Sequence, residues 1–252
     1  MYTEEEIRAL GIEEDELTDE EVLLLLAALH TTLSALEKEL RAFYSAYGKD
    51  GVVTLSDVKK WVSSKNHVKR IVFLNQAISD IFDAGFKDFV NTFENHLMDI
   101  ISMEANRFGV VLDIDDILNT GWGMDGQTWL QRLGMYRDRW TTTLANDLKV
   151  SILRQDSIVD VLLNMGKRGE SMEKILKRRW RTESNAISSI ARQKSYEQLG
   201  IKKYRFIHDD KCVCEKCTAM DGQIFPVSEY VVGVTANPLH ENCRDYTLPV
   251  KE

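Results

Sequence analysis

The chain has 252 residues, 44% hydrophobic and 29% charged, enough for one large domain or two small ones with real cores. No apolar run approaches the roughly 20 residues of a membrane helix, and Met1-Tyr2-Thr3-Glu4-Glu5-Glu6 is acidic where a secretory signal is basic and then apolar. A membrane protein, a disulfide-rich secreted module and a disordered tail are excluded, leaving the expectation of a soluble intracellular chain.

Charge is distributed unevenly. Residues 1–21 hold ten acids against the single base Arg8, whereas Lys167 to Arg205 hold twelve Lys or Arg and four Glu. An acidic head repels nucleic acid, while the late basic stretch suits phosphate or an acidic partner. All three prolines lie in the last 27 residues and all four cysteines in the last 41, so a proline-free helical body is expected to give way to different structure near Gly200.

In chain order, Leu29, Leu33, Leu36 and Leu40 keep the three-and-four spacing of one helix face, predicting a helix from Thr18 to Tyr47 with Thr18 and Glu21 as a capping box. Gly48 to Gly51 ends it. A second helix is expected from Ser56, carrying Val58 and Trp61, and a third over about Val68 to Met103 with Ile71, Leu74, Ile78, Phe82, Phe89, Phe93 and Leu97 on its stripe. After the glycine-rich break Gly121–Gly126, Trp129, Leu133, Tyr136, Trp140, Leu144 and Leu148 predict a long amphipathic helix that continues to Met165 and ends at Gly166 and Gly169. Ser171 then caps a further helix to about Leu199. Beyond Gly200 the period changes: Tyr204, Phe206 and His208 alternate as in a strand, Asp221-Gly222 signals a turn, and Arg244 to Val250 reads as extended.

The chemistry-bearing pattern is Cys214-Glu215-Lys216-Cys217, followed after 22 residues by His240-Glu241-Asn242-Cys243. Two such knuckles present three thiolates and one imidazole, a tetrahedral set that suits zinc, with Cys212 as an additional thiol that could replace Cys214. A domain of about 50 residues has little core, so a metal would supply folding energy. With four protein ligands the site is closed, which predicts a structural role. His240-Glu241 lacks the second histidine of a helix-borne protease pair, because Arg244 stands there. The deaminase order is absent, and a nuclease would want more histidines than His208. No catalytic residue is assigned.

On the late helix, Met172, Ile175, Leu176, Trp180, Ile187 and Ile190 share one face, and Glu183 falls within that stripe. An interior ion pair with Arg179, or a cap on a backbone turn of the tail, is the expected role. Lys174, Lys177, Arg178 and Arg181 lie on the opposite face, either solvated or in contact with DNA phosphate or an acidic groove. Asp50-Gly51 with Asp57 lacks two ligands of a calcium loop, and Asp113, Asp115 and Asp116 suit a helix start better than a metal.

Arg181-Thr182-Glu183, Asp210, Cys214-x-x-Cys217, Met220-Asp221-Gly222 and Pro238-x-His240-x-Asn242-Cys243-Arg244 together resemble the Mu F-like minor head protein (head morphogenesis) family of tailed bacteriophages over about residues 127–250. That family's motif ends in a further cysteine after Arg, where Asp245 stands here. The resemblance implies a minor capsid protein inside the virion head, associated with the portal protein and other phage head proteins, near packaged double-stranded DNA and in the host cytoplasm during assembly. The expectation is a non-enzymatic, mainly α protein: a helical region 1–120, a helical region 121–200, and a small α+β zinc-knuckle domain 201–252 on the 171–199 helix. The alternatives are a zinc-knuckle nuclease or injected effector, and a DNA-binding module using the basic face.

Overall fold

The computed structural model describes the backbone of residues 4–53, 67–209 and 213–250, and the side chains of 21–45, 48–53, 78–209 and 213–250. The architecture is mainly helical, with one small antiparallel sheet near the C-terminus. The helices are α1 (Glu4–Tyr47), α2 (His67–Phe108), α3 (Ile114–Leu118), α4 (Trp129–Arg154), α5 (Ile158–Gln198) and α6 (Glu215–Met220). Strands β1 (Lys203–Ile207), β2 (Ile224–Pro226) and β3 (Tyr246–Pro249) form a sheet in the order β2-β1-β3, with Tyr204 opposite Phe225 and Pro249. Among the described residues no helix is long and apolar enough to cross a membrane.

Three helix boundaries differ from the periodicity reading. Helix α1 begins at Glu4, so Thr18 lies inside it rather than capping it. The Glu-rich segment favours helix without an apolar stripe to reveal it. The expected helix from Ser56 lies outside the described residues. Helix α5 passes through Gly166, Gly169 and Ser171. A helical glycine costs about 1 kcal/mol, and the apolar stripe from Val161 through Met172 and Leu176 stays buried across it. The real break is at Gln155 (φ +64°), after which the Ser157 hydroxyl accepts the Asp160 N–H at 3.1 Å and donates to its carboxylate at 2.7 Å. That reciprocal cap starts α5. At α3, Asp113 is the N-cap and accepts the Asp116 N–H at 3.0 Å, as expected for acids at a helix start.

Contacts divide the described chain into two compact units. Leu25–Asn91 and Leu133–Ile175 form one, with Leu25, Leu36, Leu40, Ile78, Leu144 and Leu148 buried in it. Arg137–Asp83 (2.9 Å) and Arg168–Asp147 (2.7 Å) are ion pairs within that unit. In it too, Asp50 and Gly51 form a left-handed turn closed by the Lys49–Val52 bridge.

The other unit comprises the residues up to Leu24, Thr92–Arg132 and those from Leu176 onward. Phe93 stacks on Trp180 at 4.5 Å and meets Trp129 edge-on at 5.4 Å. Such aromatic pairs contribute ~0.5–1.5 kcal/mol beyond the area they bury. From Trp180 to Tyr196, α5 is buried on almost every side. Small residues make this close packing feasible: Ser184, Ala186, Ser188, Ser189, Ala191 and Ser195 are all buried. Their hydroxyls stay satisfied, Ser184 on the Trp180 carbonyl (2.7 Å) and Ser195 on that of Ala191 (2.9 Å).

Candidate metal centre

Strand β1, helix α6 and the 237–245 segment converge on a small apolar cluster of Phe206, Cys217, Leu239 and Cys243, with Cys214, Met220 and Phe225 packed against it. Asp221 and Gly222 return the chain from α6 to the sheet. The Gly222 N–H donates to the Phe206 carbonyl (2.9 Å) at φ +73°, a conformation that favours glycine, and Asp221 accepts the His208 N–H at 2.9 Å. Thus the predicted turn residues pin α6 to β1.

Within this frame, Cys217 Sγ, His240, Cys243 Sγ and an Asp245 carboxylate oxygen all lie within 4.8 Å of one another. His240 Nε2 is 3.1 Å from Cys217 Sγ, and Cys243 Sγ donates to Asp245 Oδ2 at 3.0 Å. The Glu241 carbonyl, which can only accept, lies 2.8 Å from His240 Nδ1. The Nδ1–H is therefore committed, and Nε2 presents its lone pair to the sulfurs, the tautomer a metal-bound imidazole uses. Hydrogen bonding with Cys243, burial and the Asp245 carboxylate all push the Cys217 thiol pKa up. Cys214 differs. It is half-buried, stands at the N-terminus of α6, and is not in the four-donor group. Hydrogen bonds from Cys217, its backbone N–H first, draw the Cys214 pKa down. The other thiol named from the sequence, Cys212, lies outside the described residues, as does Asp210.

Helix α5 grips the segment that carries His240 and Cys243. Asn185 Nδ2 donates to the Cys243 carbonyl (2.8 Å) and the Asp245 carbonyl (3.2 Å), while the Asn242 N–H donates to Thr182 Oγ1 at 2.8 Å. Arg181 reaches Asn242 Oδ1 at 3.4 Å, and Arg179 pairs with Glu241. Four α5 side chains, Arg179, Arg181, Thr182 and Asn185, therefore read its backbone and rim.

A family model described as Phage Mu protein F like protein matches residues 142–247. The matched span holds α5, β1, β2 and the whole donor cluster, and ends within β3. Residues 142–247 are Mu F-like. No curated protein and no solved structure matches the chain.

The Mu F-like region explains Arg181 and Thr182 as the grip just described, and Glu183 has a different partner from the one expected. Arg179 bonds Glu241, whereas Glu183 Oε2 accepts the Trp122 indole N–H at 2.8 Å and pairs with Arg132 at 3.3 Å. Arg132 also bonds Asp125 and the Trp122 carbonyl (2.5 Å) and lies 4.0 Å over the Trp122 ring. Glu183 thus anchors the Gly121–Gly126 loop. Burial raises its pKa against the pull of Arg132. Trp122 and Arg132 precede the Mu F-like region, and their pairing with Glu183 spans 61 and 51 residues, beyond the reach of helical spacing.

Two buried polar groups near Mu F-like helix α5 were not legible either. Glu104 accepts from Arg107 (2.7 Å), Arg192 and Ser188 (3.0 Å). Burial would raise its pKa, but the two guanidiniums outweigh this and hold it low. Ser184, His96 and Glu21 line up like a nucleophile, base and carboxylate, with His96 Nε2 2.8 Å from Ser184 Oγ. Ser184 and His96 are each 2% exposed, and the hydroxyl also donates to the Trp180 carbonyl, so the set closes the core. The half-buried Arg244 borders the cluster in sequence, while Lys174, Lys177 and Arg178 are exposed. Arg178 lies 3.9 Å from Glu241.

Proposed function

We propose that this chain is a non-enzymatic minor head protein of a tailed bacteriophage, sited inside the head and associated with the portal. Its Mu F-like region supports that reading, and so does a donor cluster turned inward and gripped by α5. The donor chemistry fits a structural zinc. The set joins two soft thiols to an imidazole already held in the metal-binding tautomer. Cys217, His240 and Cys243 would hold the ion, and the bound ion supplies folding energy to a small sheet domain. Its consequence is mechanical. The segment locked at the cluster is the one that Thr182 and Asn185 hold, so knuckle and helix move as one body for docking to head partners. Lys177 and Arg178 offer an exposed basic rim for an acidic head protein or for packaged DNA.

Virions and proheads from the parent phage test the reading. The chain is expected in both at low copy number, and to co-purify with the portal protein when the two are co-expressed. Absence from both particles would contradict it. Purified protein with DNA and divalent cations is expected to show no cleavage; cleavage abolished by His240→Ala with melting unchanged would favour an enzyme instead.

A further inference from the structure

We propose that Asp245, rather than Cys214, completes the metal coordination of this chain, so that Cys217 Sγ, His240 Nε2, Cys243 Sγ and Asp245 Oδ2 form the ligand set. The proposal rests on reading the cluster as a metal centre, and fixes which atoms make it.

Three observations carry it. The first is distance. An ion with bonds of about 2.0–2.3 Å places its tetrahedral ligands roughly 3.3–3.8 Å apart. The Cys243–Asp245 and Cys217–His240 pairs, at 3.0 and 3.1 Å, are already near that spacing, and all four donors lie within 4.8 Å. Second, the Asp245 side chain is fully buried (0% exposed), with its two oxygens divided between tasks. Oδ1 accepts the His208 Nδ1–H at 2.8 Å and the Asp209 N–H at 3.0 Å. That leaves Oδ2 toward the sulfurs. A buried carboxylate is costly without a compensating charge, and a dication beside Oδ2 supplies it. Third, Cys214 packs beside the cluster but is not among the four donors that lie within the common 4.8 Å.

His208 is then a positioning residue. Its ring holds Oδ1 so that Oδ2 keeps its aim, as a hydrogen-bonded carboxylate ligand requires. Relative to a three-thiolate site, the formal ligand charge is unchanged, but one soft donor becomes hard.

The test uses the full chain loaded with Co2+, whose thiolate charge-transfer absorption grows with the number of bound sulfurs. Wild type is expected to bind a single Co2+ with a two-thiolate band. Cys214→Ser should leave stoichiometry and band unchanged, and Cys243→Ser should cut the band by about half. Asp245→Asn should weaken binding by at least tenfold, and Asp245→Cys should restore binding with a band about half as strong again. His208→Gln should weaken binding ~10–100-fold and shift the visible d–d envelope.

A band lowered by about a third in Cys214→Ser, with Asp245→Asn binding as wild type, overturns the ligand assignment and leaves the metal centre intact. Failure of wild-type protein to bind Co2+ or Zn2+ at all overturns the metal-centre reading itself. If Asp245→Asn does not fold, Cys214→Ser and Asp245→Cys decide between the two ligand sets.

Discussion

Asn185 shows how one side chain can couple a helix to a distant loop. Its amide donates to the carbonyls of Cys243 and Asp245 and accepts from Asn237 Nδ2. Truncation to Ala leaves those carbonyls short of a donor, at a cost of ~1–3 kcal/mol. Chemical denaturation of Asn185→Ala checks this, and an unchanged midpoint and slope would contradict the coupling. His96 carries the acid sensitivity. Burial lowers its pKa from 6.5 to about 3, and burial together with Asp99 raises that of Glu21. Ser184 donates to the Trp180 carbonyl and so accepts the His96 Nε2–H, while Glu21 lies against His96 Nδ1. The depressed His96 pKa contributes stability that is full above pH 6.5 and lost as pH falls toward about 3. The loss is up to about 1.4 kcal/mol per pH unit, because the unfolded chain takes up the proton first. The raised Glu21 pKa opposes this in part, since it favours the folded state in acid. His96→Gln should therefore have a shallower stability–pH slope between pH 6.5 and 3 than wild type; equal slopes would contradict the assignment.

At the scale of elements, the Gly121–Gly126 loop is held shut from within and from α5. A Cβ on Gly121 would lie 2.0 Å from the Gly126 carbonyl oxygen, so Gly121→Ala must move backbone. The expected cost is about 1–3 kcal/mol. A parallel loss should appear in the Trp122 environment, because its indole N–H bonds Glu183. Trp122 fluorescence that is unchanged in the variant would show that the loop tolerates the shift. These elements were partly legible in the sequence. Apolar spacing located α2 and α4, because each buries one stripe along its described side chains. It misplaced the α4–α5 break, where the deciding signal was the local Ser157–Asp160 cap and not the two glycines. It also could not show that α5 is buried all round, since the serines that line it read as solvent-facing until close packing and carbonyl partners are seen.

For the whole molecule, the cysteine and histidine spacing pointed to the cluster in which Cys217, His240 and Cys243 meet, while Asp245 could be read only as a departure from the family's pattern. Its position beside the sulfurs depends on β3 pairing with β1, a tertiary fact. The partners of Glu183 were hidden for the same reason. The account's central claim is that an ion closes the Mu F-like tail onto α5. Native mass spectrometry for zinc, joined to thermal melting with and without a chelator on the same sample, tests it most directly. One zinc per chain is expected, with chelation lowering Tm by at least ~5 °C, equivalent to a few kcal/mol for a chain of this size. Metal-free protein, or melting that chelation leaves unchanged, would contradict it.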